Sequence, residues 1–461
     1  MPITFQNVTI TGGLQLVSEG VAPPSGDPDW ANVRLLMNTT STNNQINNTF
    51  LDGSTNNFTV TRAGTTTQGS FTPFTVAGGS SYSTATNGGS GYFNGTTDYL
   101  TVPSNAAFAY GTGDFTWELW VYMNSTSGNR YILDHGLEGG TLTYNGGLRY
   151  YNPTTGIGSA LYTTAPTLTA GTWNHIAVAR QSGTTRLFLN GTLVASGADS
   201  NNFGNASVTI AQYGGGGLYY NGYISSTRIV KGTAVYTSAF TPPTTALTAI
   251  SGTSLLLNYT NAGIFDSSTN NDLTLLVNAK VSTTQAKFGT TSSSFGGDNS
   301  LVRQVSKTTI NSSEDFTLEC WFYQTAKSSS YVPLICDSSA VYFFPLIIDY
   351  GNVNGTFVAG AVGLYTTTSG IITTITGGLF STGTWNHIAV SRSSGTTRLF
   401  VNGTVRITTS TALGEFTVDQ IGGASINGFT LNGFLDDVRI TKGIARYTSD
   451  FSVPTAAFPT F

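Results

Sequence analysis

The feature that most constrains the fold of this chain is a long internal repeat. The segment GTWNHIAVARQSGTTRLFLNGT at residues 171–192 returns as GTWNHIAVSRSSGTTRLFVNGT at residues 383–404, and the two segments differ at three of 22 positions. Further matching blocks follow in the same order at a spacing of about 200 to 215 residues. Because solenoid repeats are far shorter, this spacing indicates that a whole domain was duplicated. We predict modules at residues 28–247 and 252–461, behind an N-terminal arm and linker at residues 1–27.

Turn residues and the absence of a helical pattern predict β structure in both modules. Asn190-Gly191 and Asn402-Gly403 each separate two segments of alternating polarity. An Asn-Gly pair tolerates the positive φ angles of a type I′ turn, so each pair predicts a β-hairpin. The 55 glycines punctuate many short segments, and no apolar period of 3.6 residues is sustained. The sequence therefore predicts an all-β protein made of two tandem antiparallel sandwiches.

The composition disfavours several classes of function. Charged residues make up 9% of the chain, and the net charge is −4. Without a basic cluster to neutralise phosphates, a nucleic-acid partner is disfavoured. The longest apolar runs are too short to span a membrane, and the N-terminus lacks the pattern of a secretory signal. We expect neither nucleic-acid binding nor membrane insertion.

The two cysteines do not form a disulfide framework. Cys320 and Cys336 stand where the repeat alignment puts Leu119 and Leu133 in the first copy. Apolar positions favour two buried free thiols, and a single disulfide between neighbouring strands is the alternative.

Four blocks recur in each module: an aromatic strand, G-x-W-x-H-I-A-V, an R-L-F-x-N-G hairpin and a D/S-x-R-I strand. They lie at residues 115–121, 173–178, 186–191 and 226–229, and again at residues 316–322, 385–390, 398–403 and 437–440. This succession resembles the laminin-G-like, concanavalin A-like lectin/glucanase superfamily. The resemblance implies a jelly-roll sandwich in each module; members bind glycans or proteins, cleave glycans or serve as structural modules. Each module carries near its end a segment with the pattern K-G-x-A-x-Y-T-x-x-F, at residues 231–240 and 442–451, which we call the tail. The tail is similar to versions common in proteins of tailed phages, especially marine and cyanobacterial ones.

The acids and histidines of the repeat favour structure over catalysis. Glycoside hydrolysis needs two carboxylates facing a cleft, roughly 5 or 8 Å apart. The aromatic strands supply one acid each, Glu118 and Glu319, and the E-x-D-x-x-E pattern of the family's hydrolases is absent. Since no nucleophile or second acid accompanies them, His175 and His387 are expected to be structural histidines. Arg228 and Arg439 recur in this charge-poor chain, with Lys231 and Lys442 close by, so the arginines are expected to pair with the two glutamates. We therefore expect a protein that is not an enzyme.

Exposed aromatic side chains on loops are the usual device for binding sugars. The candidate ligand-binding residues are Tyr213, Tyr219 and Tyr220, around a run of four glycines, and the pair Tyr150 and Tyr151. Core packing or a subunit contact is the alternative for all five. The resemblance also suggests a calcium site with Asp134 and Asp337 as ligands, while ordinary turn aspartates are the alternative reading. No other cofactor is expected.

The combined features favour a surface protein of a tailed-phage virion, such as a fibre, appendage or decoration subunit. We expect it to bind host or environmental glycans and to form a homo-oligomer. The arm at residues 1–27 would contact other virion proteins, although a frayed terminus is the alternative. A secreted or cell-surface bacterial adhesin is the second hypothesis, and a glycoside hydrolase is the third.

Overall fold

A computed structural model describes most of both predicted modules. The described residues are 26–76, 80–136, 140–151, 161–163, 167–326, 332–338, 346–348, 352–353, 356–357, 360–366, 370–373, 378–425 and 429–461. The predicted arm lies outside them except for its last two residues. Within the described ranges, no helix is long and apolar enough to cross a membrane.

The described chain is built almost entirely of β-strands, with short 3-10 helices at Trp30–Asn32 and Ala106–Phe108. The strands of the first half are β1 (Val33–Thr39), β2 (Thr61–Ala63), β3 (Thr67–Gly69), β4 (Ser90–Asn94), β5 (Tyr99–Asn105), β6 (Phe115–Met123), β7 (Arg130–Asp134), β8 (Thr141–Tyr144), β9 (Leu148–Tyr151), β10 (Leu161–Thr163), β11 (Trp173–Gln181), β12 (Thr184–Leu189), β13 (Thr192–Ala198), β14 (Ala206–Ile210) and β15 (Asn221–Lys231).

The second half continues the same pattern. Its strands are β16 (Thr253–Leu257), β17 (Ile264–Asp266), β18 (Leu273–Leu276), β19 (Lys280–Ser282), β20 (Ser292–Gly296), β21 (Leu301–Ile310), β22 (Phe316–Gln324), β23 (Val332–Cys336), β24 (Leu346–Ile348), β25 (Asn352–Val353), β26 (Thr356–Phe357), β27 (Val362–Thr366), β28 (Gly370–Thr373), β29 (Trp385–Ser393), β30 (Thr396–Val401), β31 (Thr404–Thr409), β32 (Phe416–Ile421), β33 (Gly423–Ala424), β34 (Phe429–Thr430) and β35 (Asn432–Lys442).

Each module pairs a main sheet with a second sheet. The main sheet of the first module has the order β13-β12-β11-β6-β15-β4-β3, with β16 also on β15, and the second sheet has the order β10-β9-β8-β7-β14-β5-β2. In the second module the orders are β17-β1-β35-β22-β29-β30-β31, with β20 on β35 and β19 on β20, and β18-β21-β32-β23-β24-β27-β28. The strand pairs are antiparallel, as predicted, and the all-β sandwich architecture is confirmed.

The cores lie between the paired sheets because alternate residues of each strand face inward. In β6, Phe115, Trp117 and Leu119 belong to the first core, whereas Glu118 projects from the opposite face. In the second core, Phe316, Leu318 and Cys320 take the same places. Both cysteines are buried and free, which confirms the predicted thiols.

The Asn-Gly hairpins are confirmed. Asn190 and Gly191 have φ angles of 49° and 78°, and Asn402 and Gly403 have 51° and 79°. These turns join β12 to β13 and β30 to β31. Their left-handed backbone is the conformation that a type I′ turn requires.

The two modules exchange a strand. β1 comes from the range predicted for the first module, yet it pairs with β35 and β17 of the second. In turn, β16 comes from the range predicted for the second module but pairs with β15 of the first. Leu35 and Met37 accordingly lie in the second core, and Leu255 and Leu257 lie in the first. We call β1 and β16 the closing strands.

Candidate functional site

The residues that recur in both modules form a buried ion pair on the outer face of each main sheet. A bulge in β15, where Ser226 has a φ of 44°, brings Arg228 opposite Glu118. The Arg228 Nη2 atom lies 2.5 Å from Glu118 Oε1. In the second module the bulge is at Asp437, and Arg439 Nη2 lies 2.7 Å from Glu319 Oε1. The predicted arginine–glutamate pairs are confirmed.

The tail of each module covers its ion pair. In the first module, the Tyr236 hydroxyl donates to Glu118 Oε2 at 2.7 Å, and the Tyr236 ring stacks on Phe240 with centroids 3.6 Å apart. His175 lies in the same layer, with Nε2 3.6 Å from Glu118 Oε2. Neither Glu118 nor His175 has exposed surface. The recurring acid and histidine therefore lie in the interior, as expected for structural residues.

The ion pair keeps the buried carboxylate charged. Burial raises the pKa of Glu319, but the charge of Arg439 opposes it, helped by His387 and the Tyr447 hydroxyl. The result is a pKa lowered to about 2. The pKa of Glu118 is lowered for the same kind of reason, because His175 and Arg228 outweigh its burial.

A different group of side chains meets at the surface of the first module. The rings of Tyr131, on β7, and Tyr213, in the loop after β14, have centroids 5.0 Å apart. Tyr151, at the end of β9, interacts electrostatically with Tyr131, and its hydroxyl accepts a 3.0 Å hydrogen bond from Arg149. All three tyrosines are half-buried. We call Tyr131, Tyr151 and Tyr213 the tyrosine cluster.

Asp134 lies beside the tyrosine cluster. Its Oδ2 accepts a 3.3 Å hydrogen bond from the Gly214 amide, and the side chain is buried. The strand register places Asp134, Thr141 and Tyr151 side by side on three neighbouring strands. Burial raises the pKa of Asp134 to about 6, although hydrogen bonds from Gly214, Gly136 and Thr141 oppose the shift. The tyrosine cluster thus lies beside a buried carboxyl group that ties β7 to the loop carrying Tyr213.

The other predicted tyrosines have different surroundings. Tyr150 and Tyr220 are buried in the first core. Their prediction as ligand-binding residues is therefore wrong, and core packing, the alternative that the sequence left open, is correct for both. Tyr219 is half-buried, and its ring centroid lies 6.3 Å from that of Tyr99. Tyr131 was missed by the sequence analysis. Its signal was weak, because Tyr131 lies in a strand-like segment rather than beside glycines.

The structure corrects the repeat alignment around Asp134. Leu133 pairs with Ile210, and Ile335 pairs with Ile421, so Asp134 corresponds to Cys336. The predicted equivalence of Cys336 with Leu133, and with it that of Asp337 with Asp134, is therefore wrong by one residue. Asp337 accepts a hydrogen bond from the Thr417 hydroxyl and lies 3.9 Å from Lys307 Nζ. Over the part of the chain that is described, no group of three or more His, Cys, Asp or Glu residues could hold a metal ion.

A family model matches the sequence of each module. The model describes the concanavalin A-like lectin/glucanases superfamily, and it matches residues 94–237 and 295–444. These ranges together cover more than half of the chain. A search of curated proteins finds no significant match.

Solved structures that resemble the chain include carbohydrate-binding and laminin domains. A Bacteroides ovatus protein described as a candidate carbohydrate-binding protein is 16% identical with a TM-score of 0.30. The match covers 36% of this chain and 50% of that one, so this chain spans half the length of that protein. Domain 4 of a Geobacillus stearothermophilus GH43 arabinanase, in complex with arabinotriose, is 17% identical with a TM-score of 0.30, covering 42% and 95%. The mouse laminin α1 domains LG4-5 are 15% identical with a TM-score of 0.27, covering 83% and 96%.

Proposed function

This chain belongs to the concanavalin A-like lectin/glucanases superfamily, and from that premise we propose that it binds carbohydrate through the tyrosine cluster without cleaving it. The observation that carries the proposal is the meeting of Tyr131, Tyr151 and Tyr213 at the surface, beside the buried Asp134. Aromatic rings offer apolar faces to the C–H faces of a sugar, and a few well-placed polar groups fix its orientation. The polar groups available at the surface are the hydroxyls of the three half-buried tyrosines, which can both donate to and accept from sugar hydroxyls.

The second module supports the proposal because it has the same fold without the cluster. Its hydrogen-bond register places Pro333, Cys336 and Ala424 where the first module has Tyr131, Asp134 and Tyr213. The fold therefore does not require these side chains. A requirement for function accounts for aromatic side chains that lie half-exposed in only one copy.

The recurring acids support binding rather than hydrolysis. A glycosidase needs one carboxyl group with a raised pKa as the general acid and a second carboxylate facing the same cleft. Glu118 and Glu319 are instead buried beneath the module tails, paired with arginines and held charged. They supply neither the exposure nor the protonation that this chemistry needs.

The proposal is tested by screening the intact protein on a glycan array and titrating the best ligand into single variants. Tyr131→Ala and Tyr213→Ala should each weaken binding about tenfold or more, because each removes a central aromatic contact. Tyr323→Ala, which changes a half-buried tyrosine of the second module, is the matched control. Unchanged affinity in both cluster variants would refute the site, and release of smaller sugars from the ligand would refute non-catalytic binding.

We further propose that the protein acts on the surface of a tailed-phage virion. The supporting observations are the K-G-x-A-x-Y-T-x-x-F tails, the low charge and the duplicated lectin-like modules. An antibody against the protein should detect it in purified particles, and removing residues 1–25 should abolish incorporation while both modules remain folded. Detection in a bacterial envelope but not in particles would favour the adhesin hypothesis.

A further inference from the structure

The two closing strands occupy equivalent positions in the two modules. We call the position of β1 beside β35, and that of β16 beside β15, the slot of each module. In the second module, Leu35, Leu36 and Met37 pair with Ile440, Arg439 and Val438. In the first module, Leu255, Leu256 and Leu257 pair with Ile229, Arg228 and Thr227. Each slot opens after the bulge, because β15 and β35 pair with β4 and β20 before it and with a closing strand after it. The two slots thus accept similar strands in the same register.

A turn that recurs in both modules binds each closing strand from its other side. The Leu36 amide donates to Asp266 Oδ1 at 2.9 Å, and the Ser267 amide donates to the Leu36 carbonyl at 2.9 Å. The Leu256 amide donates to Asp52 Oδ1 at 3.0 Å, and the Gly53 amide donates to the Leu256 carbonyl at 2.8 Å. The repeated DGSTNN and DSSTNN sequences therefore mark the receptor side of the slot.

In the second module, ion pairs also hold the residue that precedes the closing strand. Asp27, which precedes β1, pairs with Arg439 Nη1 at 2.9 Å and with Arg446 Nη2 at 2.8 Å. Among the described residues of the first module no carboxylate takes the place of Asp27, and Arg228 Nη1 instead donates to the Thr248 carbonyl at 2.7 Å. All the partners of Asp27 and β1 named here belong to the second module.

From these contacts we infer that β1 can close the second module of another copy, so that a second copy of this chain is a partner. The contacts that hold residues 27–39 do not depend on which chain supplies the strand. The segment at residues 40–50 leads from β1 to the first module and would change its course on exchange. Within one chain it also contacts the second module, where Asn47 Nδ2 donates to the Ile264 and Leu273 carbonyls at 2.7 and 2.9 Å, so exchange along this route gives up these two hydrogen bonds. Within one chain, the reciprocal use of β1 and β16 already has the connectivity of a strand-swapped dimer. Exchange of identical elements between copies is a low-cost route to oligomers, and its geometry decides between a closed dimer and an extended chain.

The inference is tested by trapping β1 with a disulfide in the full chain. Asn38 and Phe265 are paired across β1 and β17 and are half-buried, so N38C/F265C places two cysteines side by side. The substitution removes the Asn38–Ser267 hydrogen bond and the ring contact of Phe265 with Tyr82. The protein is unfolded, refolded over a wide range of concentrations, oxidised and separated under denaturing, non-reducing conditions. Exchange predicts covalent dimers or higher species whose share rises with concentration. An exclusively intramolecular bond at every concentration would overturn it.

The matched control uses the closing strand that the middle of the chain supplies. Leu51 and Asn258 occupy the equivalent positions beside β16, so L51C/N258C should give only a bond within one chain. Light scattering of the unmodified protein, refolded in the same way, supplies a readout that needs no disulfide. A mass of one chain at all concentrations would contradict the inference, whereas multiples of that mass that disappear in Leu36→Pro would support it, because proline cannot donate to Asp266.

Discussion

Glu118 and Glu319 show how a residue's surroundings decide what its chemistry can be used for. A carboxylate in an apolar layer would ordinarily take up a proton, because burial disfavours its charged form. Here an arginine lies beside each one, and a tyrosine hydroxyl from the tail completes its hydrogen bonds. The acid therefore stays charged and serves to attach the tail to the sheet.

Removing the arginine should expose the cost of this arrangement. Arg228→Met leaves the Glu118 charge buried without its partner, and we expect a loss of about 3 to 5 kcal/mol in the free energy of unfolding. Urea denaturation followed by tryptophan fluorescence measures it. Arg186→Met, which removes a half-buried arginine whose Nη1 makes a 3.5 Å contact with the Thr184 carbonyl, is the control. Equal losses in the two variants would show that the ion pair does not stabilise the fold.

At the scale of the elements, the sequence predicted those features that depend on residues close together in the chain. The Asn-Gly hairpins and the alternation in β6 depend on neighbours in sequence, and both are confirmed. The destination of β1 could not be predicted in this way, because the Leu-Leu-Met run of β1 and the Leu-Leu-Leu run of β16 suit either slot. The surface site was found only in part, since the meeting of Tyr131, Tyr151 and Tyr213 depends on strand register. The same register shows the one-residue error at Asp134.

The turns that bind the tail should be less tolerant of change than other turns. Gly403 has a φ of 79°, and a Cβ there would lie 2.0 Å from the Phe451 carbonyl oxygen. Gly403→Ala should therefore cost about 3 kcal/mol, from backbone strain and displacement of the tail. Gly395→Ala has a similar φ of 81° and open space around it, so it should cost only about 1 kcal/mol. Thermal unfolding of both variants makes the comparison. An equal loss of stability would show that the tail can move away from residue 403 without destabilising the fold.

At the scale of the whole molecule, the modules meet through close contacts rather than a loose linker. Ser70 Oγ donates to the Asp266 carbonyl at 2.6 Å, and the hydroxyls of Thr67 and Thr274 lie 3.4 Å apart. At the same junction, a Cβ on Gly69 would lie 1.5 Å from Asp272 Oδ1. The fit between the modules thus depends on a glycine in one and a fully buried carboxyl group in the other.

Asp272 should make this junction sensitive to pH. It has no exposed surface, and neither carboxyl oxygen has a hydrogen-bond partner among the described residues. Burial, and then the charge of Asp266, raise the pKa of Asp272 well above its ordinary 3.8. The folded protein therefore keeps this proton at pH values where the unfolded chain has released it. Stability should consequently fall as pH rises above about 4, by about 1.4 kcal/mol per pH unit for this group, until the folded-state pKa is reached.

Asp272→Asn removes this titration while keeping the size of the side chain. The difference in unfolding free energy between the unmodified protein and the variant should move in favour of the variant as pH rises from 4 to 8. Asp134 and Asp437, whose pKa values are also raised, titrate in both proteins and cancel in the difference. Asp266 acts on Asp272 through its charge, so the difference reports the titration of Asp272 together with this interaction. Denaturant titrations at a series of pH values measure it. Parallel curves for the two proteins would mean that Asp272 ionises as readily in the folded chain as in the unfolded one, and that the junction admits water or a counter-charge to the carboxylate.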